Sequence, residues 1–340
     1  MYTFSHQFPN IHVPKELEYL KRFLAYVPQD LQIDFLRRFT EYLTWAPKYR
    51  HNASASSISG HETPQDITTA FKVAMEHHKG LAALFYINQA AEDDLQKTLR
   101  MVLRIGSIDV SQSLGHYFSC TESVIKLANR VGLPAARNHL FLLTMYLMQS
   151  SPFNVTTFKK PNASIDTILS ELVKKGGFYE YHYMILMNGL INQREYIGEH
   201  WFQHALATLE ELIPDMTETL TIETLNSMIH GRTTTNHLLH ELQRSIWKGK
   251  LSNAYAVLRT YLEEFGITTD LRSALTYKFT MIDDHPHDPH YVTFPISAFE
   301  LTRHLNHENA ELLLAHVVEF AVERVNQLGT MEIDRSLGNI

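Results

Sequence analysis

Apolar residues recur along this chain at steps of three and four, and no stretch alternates apolar and polar residues with period two. Steps of three and four mark one face of a helix, whereas a strand sends alternate residues to opposite sides. The pattern therefore predicts an all-α protein. Helices are expected over Pro14–Val27 (Leu17, Leu20, Phe23 and Leu24 on one face), Leu31–Trp45, Ile67 to about Ala90, Glu92–Ile105 and from Asp109 onward. Pro134 opens a very apolar one (Leu140, Phe141, Leu143, Met145, Leu147, Met148). Further helices are expected over Ser164–Lys175, Phe178–Asn192, Tyr196–Ile213, Thr219–Lys248, Ser252–Phe265, Thr269–Met281 and about Glu308–Gln327. Pro295 suits the first turn of a helix, where a missing N–H costs nothing. With 340 residues the expectation is one large multi-helical domain, 1–340, packed around a buried histidine-lined cavity. The loop 150–163, with Pro152 and Pro161, is the best place for a subdivision.

The net charge of −7 and the lack of a basic run give no electrostatic case for nucleic acid or an anionic membrane. The longest apolar runs are too short to span a bilayer. Met1 to His6 shows no basic start leading into an apolar core, so no signal peptide is expected. A single cysteine, Cys120, excludes an intrachain disulfide, a cysteine-built zinc site and a cysteine-held iron–sulfur cluster within one chain. A reducing, cytoplasmic setting is the expectation.

Histidine is abundant instead, with 20 residues, many inside helical segments. Imidazole is the general ligand for iron, zinc and copper. The densest case is Met228 to Leu242. On a continuous helix, His230, Thr233, Thr234, His237 and Glu241 form one polar stripe beside an apolar stripe of Ile229, Leu238, Leu239, Leu242 and Ile246. That combination reads as the wall of a metal centre, with His230 as ligand and His237 or Glu241 in support. His77 lies on a stripe with Val73, Ala74, Gly80, Leu81 and Leu84, where Gly80 leaves room for something bulky. His116 shares its face with Ser119, Cys120 and Ser123, all small, as suits a cavity, and Glu122 points elsewhere. A fourth neighbourhood is the loop His285–His290. His182, His200, His204, His304, His307 and His316 read as hydrogen-bonded core or surface residues.

Other chemistries lack their signatures. There is no Gly-rich phosphate loop, no Gly-x-Ser-x-Gly elbow and no recurring Glu-x-x-His pair. His287-Asp288 runs into Pro289, which rules out a helical His-Asp phosphohydrolase pair. A haem held by one axial histidine leaves almost no sequence signal, so that class stays open.

The order of the histidine motifs resembles the questin oxidase-like family, helical oxygenases acting on aromatic polyketides such as anthraquinones. The resemblance runs from about residue 70 to 305. It is carried by Glu76-His77-His78-Lys79-Gly80-Leu81-Ala82-Ala83-Leu84, Gly115-His116-Tyr117-Phe118-Ser119, Ile229-His230-Gly231-Arg232-Thr233 and Asp288-Pro289-His290-Tyr291-Val292-Thr293. It implies a histidine-bound non-haem iron on His77, His116, His230 and His290, with NADPH as a candidate reductant. Where the family often has lysine three residues after the last histidine, this chain has Thr293.

The resulting expectation is an oxidoreductase, a mono- or dioxygenase that oxidises an aromatic or polyketide-like compound with O₂. His230, His116 and His237 are its candidate catalytic residues. Tyr117, Phe118, Tyr181 and Tyr183 either wall an apolar substrate pocket or pack the core. Arg232 or Lys79 either orients a phenolate or faces water. The competing classes are a non-catalytic helical scaffold with structural histidines and a haem-dependent dioxygenase.

Overall fold

A computed structural model describes residues 12–45, 66–150, 153–229, 237–280 and 290–328. Among them, fifteen α-helices follow one another: α1 (His12–Leu24), α2 (Gln29–Trp45), α3 (Ile67–Glu76), α4 (Gly80–Asp93), α5 (Leu95–Gly106), α6 (His116–Leu147), α7 (Ile165–Leu172), α8 (Phe178–Ile197), α9 (Glu199–Leu212), α10 (Ile222–Met228), α11 (Leu238–Trp247), α12 (Leu251–Phe265), α13 (Thr269–Thr280), α14 (His290–Leu301) and α15 (His307–Leu328). The described residues hold no strand, and their one isolated bridge joins Lys175 to Glu218. The protein is all-α. No helix among the described residues is long and apolar enough to cross a membrane.

The chain divides into two compact units, one of Met1–Glu18, Leu43–Ile165 and Ile185–Asp215, the other of Tyr19–Tyr42, Asp166–Met184 and Met216–Ile340. The division falls inside α1, α2, α7 and α8.

In the first unit, α4 packs on α3, α5 and α6. Side-chain oxygens start two of these helices. Asp66 accepts from the Thr68 and Thr69 amides at 3.0 and 3.2 Å, and Asp94 accepts from the Lys97 amide at 2.9 Å, satisfying donors that a helix start leaves open. In the second unit α15 is central. Leu312, Leu313, Leu314, Ala315, His316, Val317, Val318, Phe320 and Ala321 are all fully buried, so this helix is covered on every side. It packs against α10 to α14.

Of four local expectations, three change and one, the restart at Pro134, holds. The helix expected over Ile67–Ala90 is two helices, because α3 ends in a Schellman closure. The His78 amide donates to Met75 O at 3.0 Å and the Lys79 amide to Ala74 O at 2.8 Å, with His78 left-handed at φ 50°. The helix expected over Thr219–Lys248 also divides. Ile229 is extended (φ −90°, ψ 108°) and ends α10, while His237 caps the start of α11. The restart at Pro134 is present as a break within α6, where Gly132 takes φ 75°, ψ 167°. Pro295 lies inside α14, which begins five residues earlier at His290. That helix gives up a hydrogen bond at the proline, but its residues from His290 to Phe299 are all buried, and packing holds it.

Candidate metal centre

Helices α8 and α14 bring two imidazoles together inside the second unit. His182 and His290 are each 5 % exposed, and their ring centroids lie 4.3 Å apart at an interplanar angle of 60°. A ring nitrogen of one lies within 4.8 Å of a ring nitrogen of the other. That is close to the span two metal–nitrogen bonds of about 2.0–2.1 Å each can bridge.

The register of these helices is set next to the imidazoles. Tyr181 precedes His182 and Phe294 follows His290 by one helical turn. The rings of Tyr181 and Phe294 stack at 4.2 Å and 16°, and Tyr181 also meets Phe320 and His316 edge-on. The Tyr181 hydroxyl donates to Glu319 Oε2 at 3.4 Å. Burial, and then the Glu319 carboxylate, push this phenol well above the usual tyrosine range, so it stays protonated and remains a donor. Fully buried His316 donates from Nε2 to the Val173 carbonyl at 2.9 Å and places Nδ1 3.3 Å from the same Glu319 oxygen. His316 is thus a hydrogen-bonded core residue, as expected.

In the first unit, His116 opens α6 from an unusual turn. Ser113, Leu114 and Gly115 are left-handed in succession, with φ of 52°, 54° and 74°. Such backbone costs a non-glycine residue about 1–2 kcal/mol. Two links hold it. Ser113 Oγ is 2.8 Å from the Tyr146 hydroxyl, and a Cβ on Gly115 would stand 3.0 Å from the Leu186 side chain, so glycine is required there by both conformation and contact. The turn aims the Ser113 carbonyl at His116, whose Nδ1 donates to it at 2.5 Å. That bond fixes the tautomer and leaves the ligand lone pair on Nε2, the outer-shell arrangement common for metal-binding histidines. Ser119, Cys120 and Ser123 are buried, as the small-residue face implied, and burial raises the Cys120 thiol to about 11.

No family model, curated protein or solved structure matches this chain.

The remaining candidate residues fall as follows. His77 is exposed and forms the C-cap of α3. Its expected stripe is interrupted, since Val73 is 43 % and Leu81 60 % exposed. The space at Gly80 is taken by Met145, whose sulfur would lie 3.4 Å from an added Cβ. His237 is exposed at the start of α11. His230, Arg232, Thr233 and Thr234 lie outside the described residues; α10 ends at Met228, and His237 is the non-helical N-cap of α11. Lys79 is exposed, and Tyr117, Phe118, Tyr181 and Tyr183 are buried.

His182, read from the sequence as bland, is the residue that the sequence reasoning missed. Its signal was an imidazole inside Tyr181-His182-Tyr183-Met184-Ile185-Leu186-Met187, a run buried throughout. A polar ring in such a setting requires partners from another element. Two cavities lie elsewhere. One of about 350 Å³ is lined by Asp109, Asn154, Lys159, His204 and Glu211, and another of about 510 Å³ by His237, His240, Tyr261, Glu264 and Phe265.

Proposed function

We propose that this protein is a histidine-ligated non-haem iron oxygenase that oxidises an aromatic or polyketide-like small molecule with O₂. The observation carrying this reading is the buried His182–His290 pair, held in register by the Tyr181–Phe294 stack. His290 is also a ligand implied by the sequence resemblance. The same resemblance supplies His116 as a further ligand, and the Ser113 carbonyl gives its ring the tautomer that metal binding needs.

Neutral imidazoles suit ferrous iron and leave its charge uncompensated, which favours an anionic partner such as a phenolate. Bound iron would supply the activation of O₂. The protein's own part is to hold neutral nitrogen donors in fixed tautomers and to keep bulk water from them through the stacked aromatic rings of α8 and α14. Ring cleavage would place both oxygen atoms in the product and need no external reductant. Insertion of one oxygen beside a carbonyl would need two electrons from a donor such as NADPH. Consumption of NADPH therefore separates the two.

The test is metal analysis of purified protein after anaerobic loading with Fe(II), with an absorbance scan. Stoichiometric iron that is lost in His182→Ala, His290→Ala and His116→Ala, with far-ultraviolet circular dichroism unchanged, is the expected result. A Soret band would transfer the reading to a haem-dependent dioxygenase. Iron-free protein after loading, with alanine variants that change stability alone, would leave a non-catalytic helical scaffold.

A further inference from the structure

Lys278, on α13, is 1 % exposed, and its ammonium nitrogen has no hydrogen-bond partner among the described residues. Its Nζ sits 4.6 Å above the ring of Trp247, the last residue of α11. The Trp247 indole N–H is also buried with no acceptor. Both groups can donate, and two buried donors left unmet are costly as they stand. Burial drives the Lys278 amine down to about 7. Close to half of it is then neutral at pH 7, against about 0.1 % or less for a surface lysine. A neutral buried amine is a nucleophile, and the Trp247 indole N–H beside it lacks an acceptor.

We propose that Lys278 is a carbamylation site for carbon dioxide, with the carbamate oxygens accepting the Trp247 indole N–H. In this step the lone pair of Nζ forms a bond to the CO₂ carbon. One C=O π pair moves onto oxygen, and one N–H proton is released to water, so that amine and CO₂ become carbamate and a proton. No oxidant or reductant is involved. The adduct adds three atoms, which suits a packed site better than a larger carbonyl compound, and it converts a pair of unmet donors into a donor–acceptor pair. The proposal is independent of the iron reading.

The test uses the full-length protein at pH 7.5, equilibrated with ¹³C-bicarbonate and examined by ¹³C nuclear magnetic resonance for a carbamate carbon. A signal present in the native protein and absent from Lys278→Met is the expected result. As Lys278→Met could fail to fold, the native protein is also treated with a trialkyloxonium reagent under CO₂, which esterifies carbamates for peptide mass spectrometry. The expected occupancy at Lys278 exceeds that of surface lysines on the order of a thousandfold, following the ratio of neutral amine. A carbamate resonance that persists in a folded Lys278→Met protein, or trapping confined to the N-terminal amine and surface lysines, would overturn the proposal.

Discussion

Tyr181 and Phe294 stack face to face at 4.2 Å, each beside or one turn from a histidine of the buried pair. Phe294 is fully buried and also meets Phe320 edge-on at 5.6 Å. The contact both stabilises the second unit and fixes how α8 and α14 present His182 and His290.

Phe294→Ala should therefore cost about 3–5 kcal/mol of unfolding free energy, the usual range for deleting a buried aromatic ring. Phe294→Leu refills most of the space but removes the stack, and should cost clearly less. Chemical denaturation of both variants measures this. An alanine variant within about 1 kcal/mol of the native protein would mean that the ring is not packed as described.

Gly106 closes α5 where it meets α6. A Cβ there would stand 2.7 Å from the carbonyl oxygen of Tyr117 and 3.0 Å from its carbon. These are backbone atoms, and they cannot swing aside as a side chain can. Gly106→Ala should lower stability by about 1–3 kcal/mol through overpacking and move the start of α6, where His116 lies. Thermal unfolding would read the loss. Unchanged stability would show that the two helices are further apart than described.

His204 bridges two loops of the first unit. Its Nδ1 accepts from the Lys159 amide and its Nε2 donates to the Ile108 carbonyl, both at 3.0 Å. The neutral Nε2–H tautomer satisfies both bonds, and burial, the largest influence, lowers its pKa. With the folded pKa below the unfolded value of about 6.5, the unfolded chain binds protons first on acidification. This contribution to stability is thus complete above about pH 6.5 and shrinks below it. His204→Ala should cost about 1–3 kcal/mol at pH 7.5, and the gap from the native protein should narrow towards pH 5. Exposed His200→Ala is the control and should change little.

How far the sequence could be read follows from the kind of interaction involved. Three-to-four periodicity is local, so α7, α12, α13 and α15 stand within a residue or a few of where the apolar spacing puts them. The restart at Pro134 follows from proline chemistry. By contrast, α3 ends at a left-handed position occupied by His78, where glycine is the usual signal, so nothing in the spacing announced the stop. The stripe through His230 and His237 assumed one unbroken helix, whereas Ile229 is extended and His237 is the non-helical N-cap of α11. The encounter of His182 with His290 joins helices distant in sequence, which residue spacing cannot encode. His290 stands out in the sequence as part of a histidine-rich loop and as a ligand that the family resemblance implies, whereas His182 stands out only in the fold.

Lys278 gives a pH dependence of the same origin and sign as that of His204, over a higher pH range. Its folded pKa is about 7, below the ordinary lysine value of 10.5, because burial disfavours the ammonium form. Between these two values the unfolded chain holds the extra proton, so stability rises with pH across this window. Below about pH 7 both states are protonated and the full cost of burying the charge is present. Above about pH 10.5 both are neutral and the cost is gone. The span corresponds to about 5 kcal/mol at most. Lys278→Met removes the titration while keeping an apolar chain of similar reach over Trp247. In CO₂-free buffers it should be more stable than the native protein at pH 6.5, with the advantage declining steadily towards pH 10. Taking the difference between the two proteins at each pH cancels the contribution of every other titrating group. A difference that does not vary with pH would mean that Lys278 carries its charge in both states, and that its amine reaches water or an acceptor.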